Sequence, residues 1–157
     1  GVQQSSATPS GAWTTTTPAG KEFGFDKKDM VSIIKHHHPA YLATASVAYP
    51  EDFYAKFEKA RDTSGFRFLH LHSVCPPGWK IDSQDALKVS RLAVESGMFP
   101  LLELDQEGRL RQTYTPQRPV PVQEYLQAQK RFKGLSEDEV FRIQKQVEAR
   151  NERLLTC

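Results

Sequence analysis

The sequence has 157 residues, 38% of them hydrophobic and 25% charged, with a formal net charge of +2; this reads as one soluble domain able to bury a core. No run of about 18 apolar residues offers a membrane span, no basic-apolar-small pattern marks a signal peptide, and no block of like charge favours nucleic acid as a partner. The two cysteines, Cys75 and Cys157, are too few for a disulfide framework and point to a reducing, cytoplasmic setting.

Gly1 to Phe25 is rich in Ser, Thr, Gly and Pro and follows neither the helical nor the strand period, so it reads as a long loop. Trp13 and Thr14 to Thr17 suggest that this loop is held against something. Asp26 is placed to cap a helix over Lys27 to His37, with Met30, Ile33, Ile34 and His37 as its stripe and Pro39 as its stop. AYLATASV, residues 40–47, reads as a strand of small residues. Pro50 opens a helix whose acidic start, basic later turns and Gly65 exit follow the dipole and capping rules, with Phe53, Phe57 and Ala60 toward the sheet. The next strand ends at Val74, and strand, helix and strand make a βαβ unit, expected to be right-handed.

Asp82 or Ser83 starts another helix, with Ala86, Leu87, Ala93 and Val94 inward and Gly97 at its C-terminal cap. FPLLELD and RLRQTY flank Gln106-Glu107-Gly108 as two strands about a turn. TPQRPVPVQ is an extended linker into a helix over Val122 to Phe132. Ser136 and Glu139 form a capping box for a last helix reaching Leu155, with Val140, Ile143, Val147 and Leu154 along one side. Residues 1–116 therefore read as an α/β domain and 117–157 as a helical docking extension. One βαβ unit with these helices is too little to cover both faces of a parallel sheet, so further strands are expected from another chain or from an upstream segment.

The stretch with most chemistry is FRFLHLHSVCPPGW, residues 66–79. Its apolar and β-branched run must end at Pro76-Pro77, which have no N–H to donate, so Cys75 stands at the end of a strand. In open parallel sheets ligands bind outside the carboxyl ends of the strands, and a Cys-Pro pair also closes the bacterial ferredoxin motif. On residue chemistry alone, a lone cysteine is more often an inert small hydrophobe. His36, His37 and His38 point around a helix end rather than toward one centre, and suit the negative end of its dipole. His70 and His72 share one sheet face, where satisfied imidazoles outnumber ligands. Thr14 to Thr17 could contact a cofactor or substrate, or could satisfy a buried loop backbone. No Ser-His-Asp set, phosphate loop or paired carboxylate stands out.

GVQQSSATPSGAWTTTTP, KKDM, ATASVAYPEDF, VCPPGW, RLAVESGMFPLLEL and PVQEYLQAQKRFKGLSEDEV, in that order, closely resemble the thiamine-diphosphate-binding β subunit of pyruvate and related 2-oxoacid:ferredoxin oxidoreductases. The resemblance spans essentially the whole chain and covers the C-terminal half of the usual subunit. It implies an α/β fold, the C-terminal half of a thiamine-diphosphate-binding fold with a parallel sheet, flanking helices and added C-terminal helices. The implied activity is oxidative decarboxylation of a 2-oxoacid, most simply pyruvate, to acyl-CoA. Thiamine diphosphate, Mg²⁺ and 4Fe-4S clusters are the implied cofactors, and ferredoxin takes the electrons.

By the same resemblance Cys75 matches the isolated fourth ligand of the cluster beside the thiamine, the other three lying upstream. Gly1, Val2 and Gln3 match the tail of the loop that binds the metal of the diphosphate. The family's GDG motif and the asparagine before this glycine are not in the sequence, so partners are implied: the rest of the β subunit and the other oxidoreductase subunits complete the sites, with 2-oxoacid and CoA as small molecules. His70 and His72 could tune the cluster through hydrogen bonds, and Trp79 with the two prolines could shield it from water. Cys157 is expected to be a free thiol. A reading from another class remains beside this one: a catalytically silent assembly module that keeps the fold and the docking helices. A companion chain bearing GDG and the remaining cluster cysteines distinguishes the two.

Overall fold

The structure is a computed structural model and describes residues 8–16 and 27–156. At its centre is β1 (Tyr41–Ser46), all six residues of which are buried. It pairs in parallel with β2 (Arg67–His72), from Tyr41 opposite Arg67 to Ser46 opposite His72, after the crossover helix α2 (Pro50–Asp62). On its other side β1 meets β3 (Leu102–Leu104) antiparallel, and β3 pairs with β4 (Leu110–Gln112), giving the order β2-β1-β3-β4. The expected α/β architecture with flanking helices is therefore present. The sheet, however, is mixed rather than parallel, because the β3–β4 hairpin with Gly108 at φ +76° returns the chain along itself.

Side-chain alternation along β1 divides the packing. Leu42 joins Val31, Leu102, Leu110 and Leu154 on one face, while Tyr41 and Ala43 pack with Ala60 of α2 on the other. Both faces of the central strand are thus covered from within the chain, contrary to the expectation that one βαβ unit could not do so. The shortage sits instead at β2, an edge strand whose Leu71 is 46% exposed. Thr44 joins β1 to the approach of β3 by its side chain: Oγ1 donates to Pro100 O at 2.6 Å and accepts from Leu102 N at 2.7 Å.

Helix α1 (Met30–Lys35) is shorter than expected and is capped by Asp29, whose carboxylate accepts from Ser32 N and Ser32 Oγ; Asp26 lies outside the described residues. His37 and His38 follow in a turn, His38 at φ +49°. In α2 the inward aromatic reading needs correction, since Phe57 is 50% exposed and Lys56, at 2%, takes the buried position. After β2 come the single turn α3 (Pro76–Trp79), a 3₁₀ turn at Ser83–Asp85 and α4 (Ala86–Glu95). Val89, Ser90, Ala93 and Val94 form the buried side of α4; Leu87, expected inward, is exposed. Gly97 follows at φ +72°, the left-handed cap that a Cβ disfavours.

The helix expected over Val122 to Phe132 is divided. Helix α5 (Val122–Gln127) stops because Gln129 turns extended and its Nε2 donates to Tyr125 O at 2.7 Å, and a 3₁₀ turn at Lys130–Phe132 resumes. Helix α6 (Glu137–Thr156) opens on the expected box: Ser136 N donates to Glu139 Oε2 at 2.6 Å and Glu139 N to Ser136 Oγ at 3.3 Å. Its Ile143 and Val147 enter the main core with Trp79, Val89, Phe99, Val122 and Phe132. Arg150 and Asn151 grip the end of α4 by donating to Gly97 O at 2.8 and 2.9 Å.

Candidate functional site

The strand stops at His72, short of the expected end, and three residues beyond β2 Cys75 is a free, half-buried thiol and the N-cap of α3. Trp79 N donates to Cys75 O at 2.9 Å, so the sequence CPPG folds the strand end into a single turn that carries the indole back against the core. The two prolines need no backbone acceptor in the first turn and cannot extend the strand. Lys80 closes the turn in the left-handed region at φ +54°.

The buried face of Trp79 carries a cation. The Arg131 guanidinium lies 3.9 Å from the indole centroid and 4.8 Å from that of Phe132, and Arg131 is 1% exposed. Its Nε donates to Gln129 Oε1 at 2.9 Å and its Nη2 reaches Tyr125 Oη at 3.5 Å. Among the described residues no carboxylate pairs with it. Burial holds its pKa below the ordinary guanidinium value, while Tyr125 and Cys75 act in the opposite direction. The extended backbone at Gln129 is what turns Arg131 inward. Sequence reasoning missed it because QKRFKG carries three basic residues with no period to distinguish the buried one.

His72 and His70 do share a face, and both pack on Phe99, with centroids 5.0 and 5.2 Å apart; His72 also meets Trp79 edge-on at 5.6 Å. They are not the satisfied imidazoles expected. The Nδ1 atoms of both are buried without a hydrogen-bond partner. Burial first, then the charges of Lys27, Arg131 and His70, push His72 down to about 4, so at neutral pH its ring is uncharged. Lys27, over the Phe99 ring at 5.8 Å, is lowered to about 8 by burial and by the nearby Arg150 and Arg131. The surroundings of the strand end are therefore aromatic, dry and rich in cationic groups.

The threonine loop reaches the same place from the other direction. Trp13 N donates to Arg131 O at 2.7 Å, and Trp13 Nε1 is a buried donor without a partner. Thr14 is buried, with Oγ1 3.2 Å from Thr16 Oγ1; Thr17 lies outside the described residues. Gly1, Val2 and Gln3, expected at the metal of a diphosphate, also lie outside them, as does Cys157. His36 donates Nδ1 to Ser32 O at 2.7 Å and does not join the strand-end group. Among the described residues no three His, Cys, Asp or Glu side chains come together as a metal set, and no helix is long and apolar enough to cross a membrane.

Could these residues fit an anionic iron-sulfur group at Cys75? A half-buried thiol near an uncompensated guanidinium, with a buried unpartnered donor at Trp13 Nε1 and a buried unpartnered ring nitrogen at His72, is the kind of surrounding that stabilises thiolate-bound negative charge. The donor set fits.

An α/β chain with a strand-end thiol in an aromatic and cationic shell is the class that fold and site define. Comparison with known proteins finds relatives along nearly the whole length of the chain, among them proteins named pyruvate synthase subunit PorB and ketoisovalerate oxidoreductase subunit VorB. It is 48% identical over 152 residues to pyruvate synthase subunit PorB of Methanothermobacter thermautotrophicus, covering 95% of this chain and 52% of that protein. It is 39% identical over 158 residues to ketoisovalerate oxidoreductase subunit VorB of Pyrococcus furiosus, covering 98% and 51%. The β subunit of NADH-dependent phenylglyoxylate dehydrogenase of Aromatoleum evansii is 42% identical over 152 residues, covering 94% of this chain and 34% of that subunit. No protein-family model matches the chain. The chain spans about half the length of the first two of these relatives.

Proposed function

We propose that this chain forms part of the β subunit of a cytoplasmic 2-oxoacid:ferredoxin oxidoreductase, with pyruvate as the simplest substrate, CoA as acyl acceptor and ferredoxin as electron acceptor. The observation that carries the reading is Cys75, held at the strand end against a buried cation in a chain homologous to these subunits. In this reading Cys75 supplies one thiolate to a 4Fe-4S cluster, the other ligands coming from outside this sequence. Gly1, Val2 and Gln3 border the Mg²⁺ and diphosphate of thiamine diphosphate, again completed from outside. When bound, thiamine diphosphate would supply the carbon chemistry and the cluster a one-electron exit.

This chain's own residues then have distinct duties. The proline turn fixes the direction of the Cys75 thiol, and Trp79 excludes water from it. His72, neutral at working pH, offers a ring nitrogen without adding charge. Segment 117–157 packs on the α/β part through Val122, Ile143 and Val147 and presents Phe141, 63% exposed, as a docking contact to the other subunits.

Cys75→Ser in the assembled enzyme tests the ligand assignment, since a serine alkoxide is a harder ligand than a thiolate. Iron content is expected to fall, or the electron paramagnetic resonance signal of the reduced cluster to change, while thiamine diphosphate still binds. Full iron with an unaltered signal would sink the assignment. Native mass measurement of the complex addresses the assembly-module reading, because an enzyme part requires a companion bearing the other cluster cysteines.

A further inference from the structure

A guanidinium 99% removed from solvent with no carboxylate beside it is an unbalanced charge. Moving such an ion out of water costs several kcal/mol even after relaxation. Stacking on Trp79 and Phe132 and neutral hydrogen bonds to Gln129 and Tyr125 return less than that. The third nitrogen of the fork, Nη1, has no hydrogen-bond partner among the described residues. A folded chain keeps such a group when something anionic faces it. Burial keeps the Tyr125 phenol, 3.5 Å away, protonated; the group left to carry the charge is the Cys75 thiol, which packs in the same core as Trp79 and Phe132 while α3 lies against the 3₁₀ turn that holds Arg131.

We infer that Arg131 is the fixed counter-charge of the iron-sulfur centre at Cys75, and that it raises the reduction potential of that centre. The inference rests on the Cys75 reading above and adds to it a residue that sets the potential. The centre, when bound, would gain one electron released as the 2-oxoacid is oxidised and lose it to ferredoxin. No bond forms or breaks, and Arg131 neither gives nor takes a proton. The reduced centre carries one more negative charge than the oxidised one, so a fixed cation within a dry shell stabilises the reduced form more.

The experiment is a redox titration of the assembled enzyme with dithionite, followed by electron paramagnetic resonance, on Arg131→Gln and Arg131→Lys. At a set potential the ratio of reduced to oxidised cluster is expected to fall at least tenfold in Arg131→Gln, a shift of about 59 mV for a one-electron couple. Arg131→Lys, which retains charge, is expected to stay within threefold of the unsubstituted enzyme. Arg131→Gln with full iron and an unshifted midpoint overturns the inference and leaves the Cys75 assignment standing. A tenfold fall in Arg131→Lys also overturns it, because the effect would then follow packing rather than charge, and this arm decides the matter alone if the glutamine variant does not assemble. Failure of the Cys75 reading is distinguishable, since it appears as full iron and an unaltered signal in Cys75→Ser.

Discussion

Lys56 Nζ donates to the backbone carbonyl of Thr44 at 2.8 Å, joining the buried side of α2 to the central strand. The same ammonium donates to Asp52 Oδ2 and to Thr113 Oγ1, both at 2.7 Å, and Thr113 Oγ1 donates in turn to Asp52 Oδ1 at 2.7 Å. All three protons of the ammonium are therefore used, and crossover helix, strand and the segment after β4 meet at one nitrogen. Burial lowers the pKa of Lys56 while Asp52 opposes the shift.

Removing that cation leaves Thr44 O and Asp52 without their donor. Lys56→Met, which keeps the length of the side chain, is expected to destabilise the protein by about 3 kcal/mol, the lower end for breaking a buried pair because Asp52 retains some access to water. Thermal unfolding of the protein measures it; a loss under about 0.5 kcal/mol, the range of an ordinary surface substitution, would contradict this role.

Acid sensitivity should follow His72. Its folded-state pKa, about 4, lies below the ordinary 6.5, so folding disfavours the protonated ring. The corresponding stability is fully present above pH 6.5, declines as pH falls, and is gone below about pH 4, an interval worth about 3 kcal/mol. His72→Phe is expected to flatten the loss of stability between pH 6.5 and 4 relative to the unsubstituted protein. Parallel curves in denaturant titrations across that range would disprove it.

Gly97 needs both its positive φ and its missing Cβ, because a Cβ there would come 2.7 Å from Asn151 Nδ2. Gly97→Ala is expected to destabilise by about 2 kcal/mol, more than the usual effect of reduced chain entropy in the opposite direction. Adding Asn151→Ala should relieve the clash but not the backbone strain, giving a double variant less damaged than the sum of the two single ones.

Phe141→Glu tests the docking role of α6. An exposed position carries little folding energy, so the melting temperature should change little, while subunit association measured by size-exclusion chromatography should weaken. Unchanged assembly at low micromolar concentration would count against the contact.

How far the sequence was legible depended on whether a residue acts locally. The Ser136–Glu139 box, the turn at Gly108, the Gly97 cap and the stripe of α6 depend on residues three or four apart, and each is found where its spacing puts it. Which side of α2 faces inward was not legible. Aromatic residues are the better guess for a core, but Ala43 and Ala45 leave the strand too shallow to need Phe57, and the Thr44 carbonyl draws in the lysine. Cys75 was readable as a strand end because two prolines follow it. Arg131 was not, since its burial is decided by the Gln129 side chain and by an indole 52 positions earlier in the chain.

The grip of Arg150 and Asn151 on Gly97 spans more than fifty residues, which gives biosynthesis an order. A ribosome makes β1, α2, β2 and α4 well before it makes α5 and α6; until α5 emerges the apolar side of α4 lacks its neighbour, and until α6 emerges the carbonyls at its end have only water. The nascent chain must wait in that half-closed form with its β2 edge bare, a state that chaperones recognise. Slowing translation after α4 should therefore lower the yield of folded protein even though no residue has been changed.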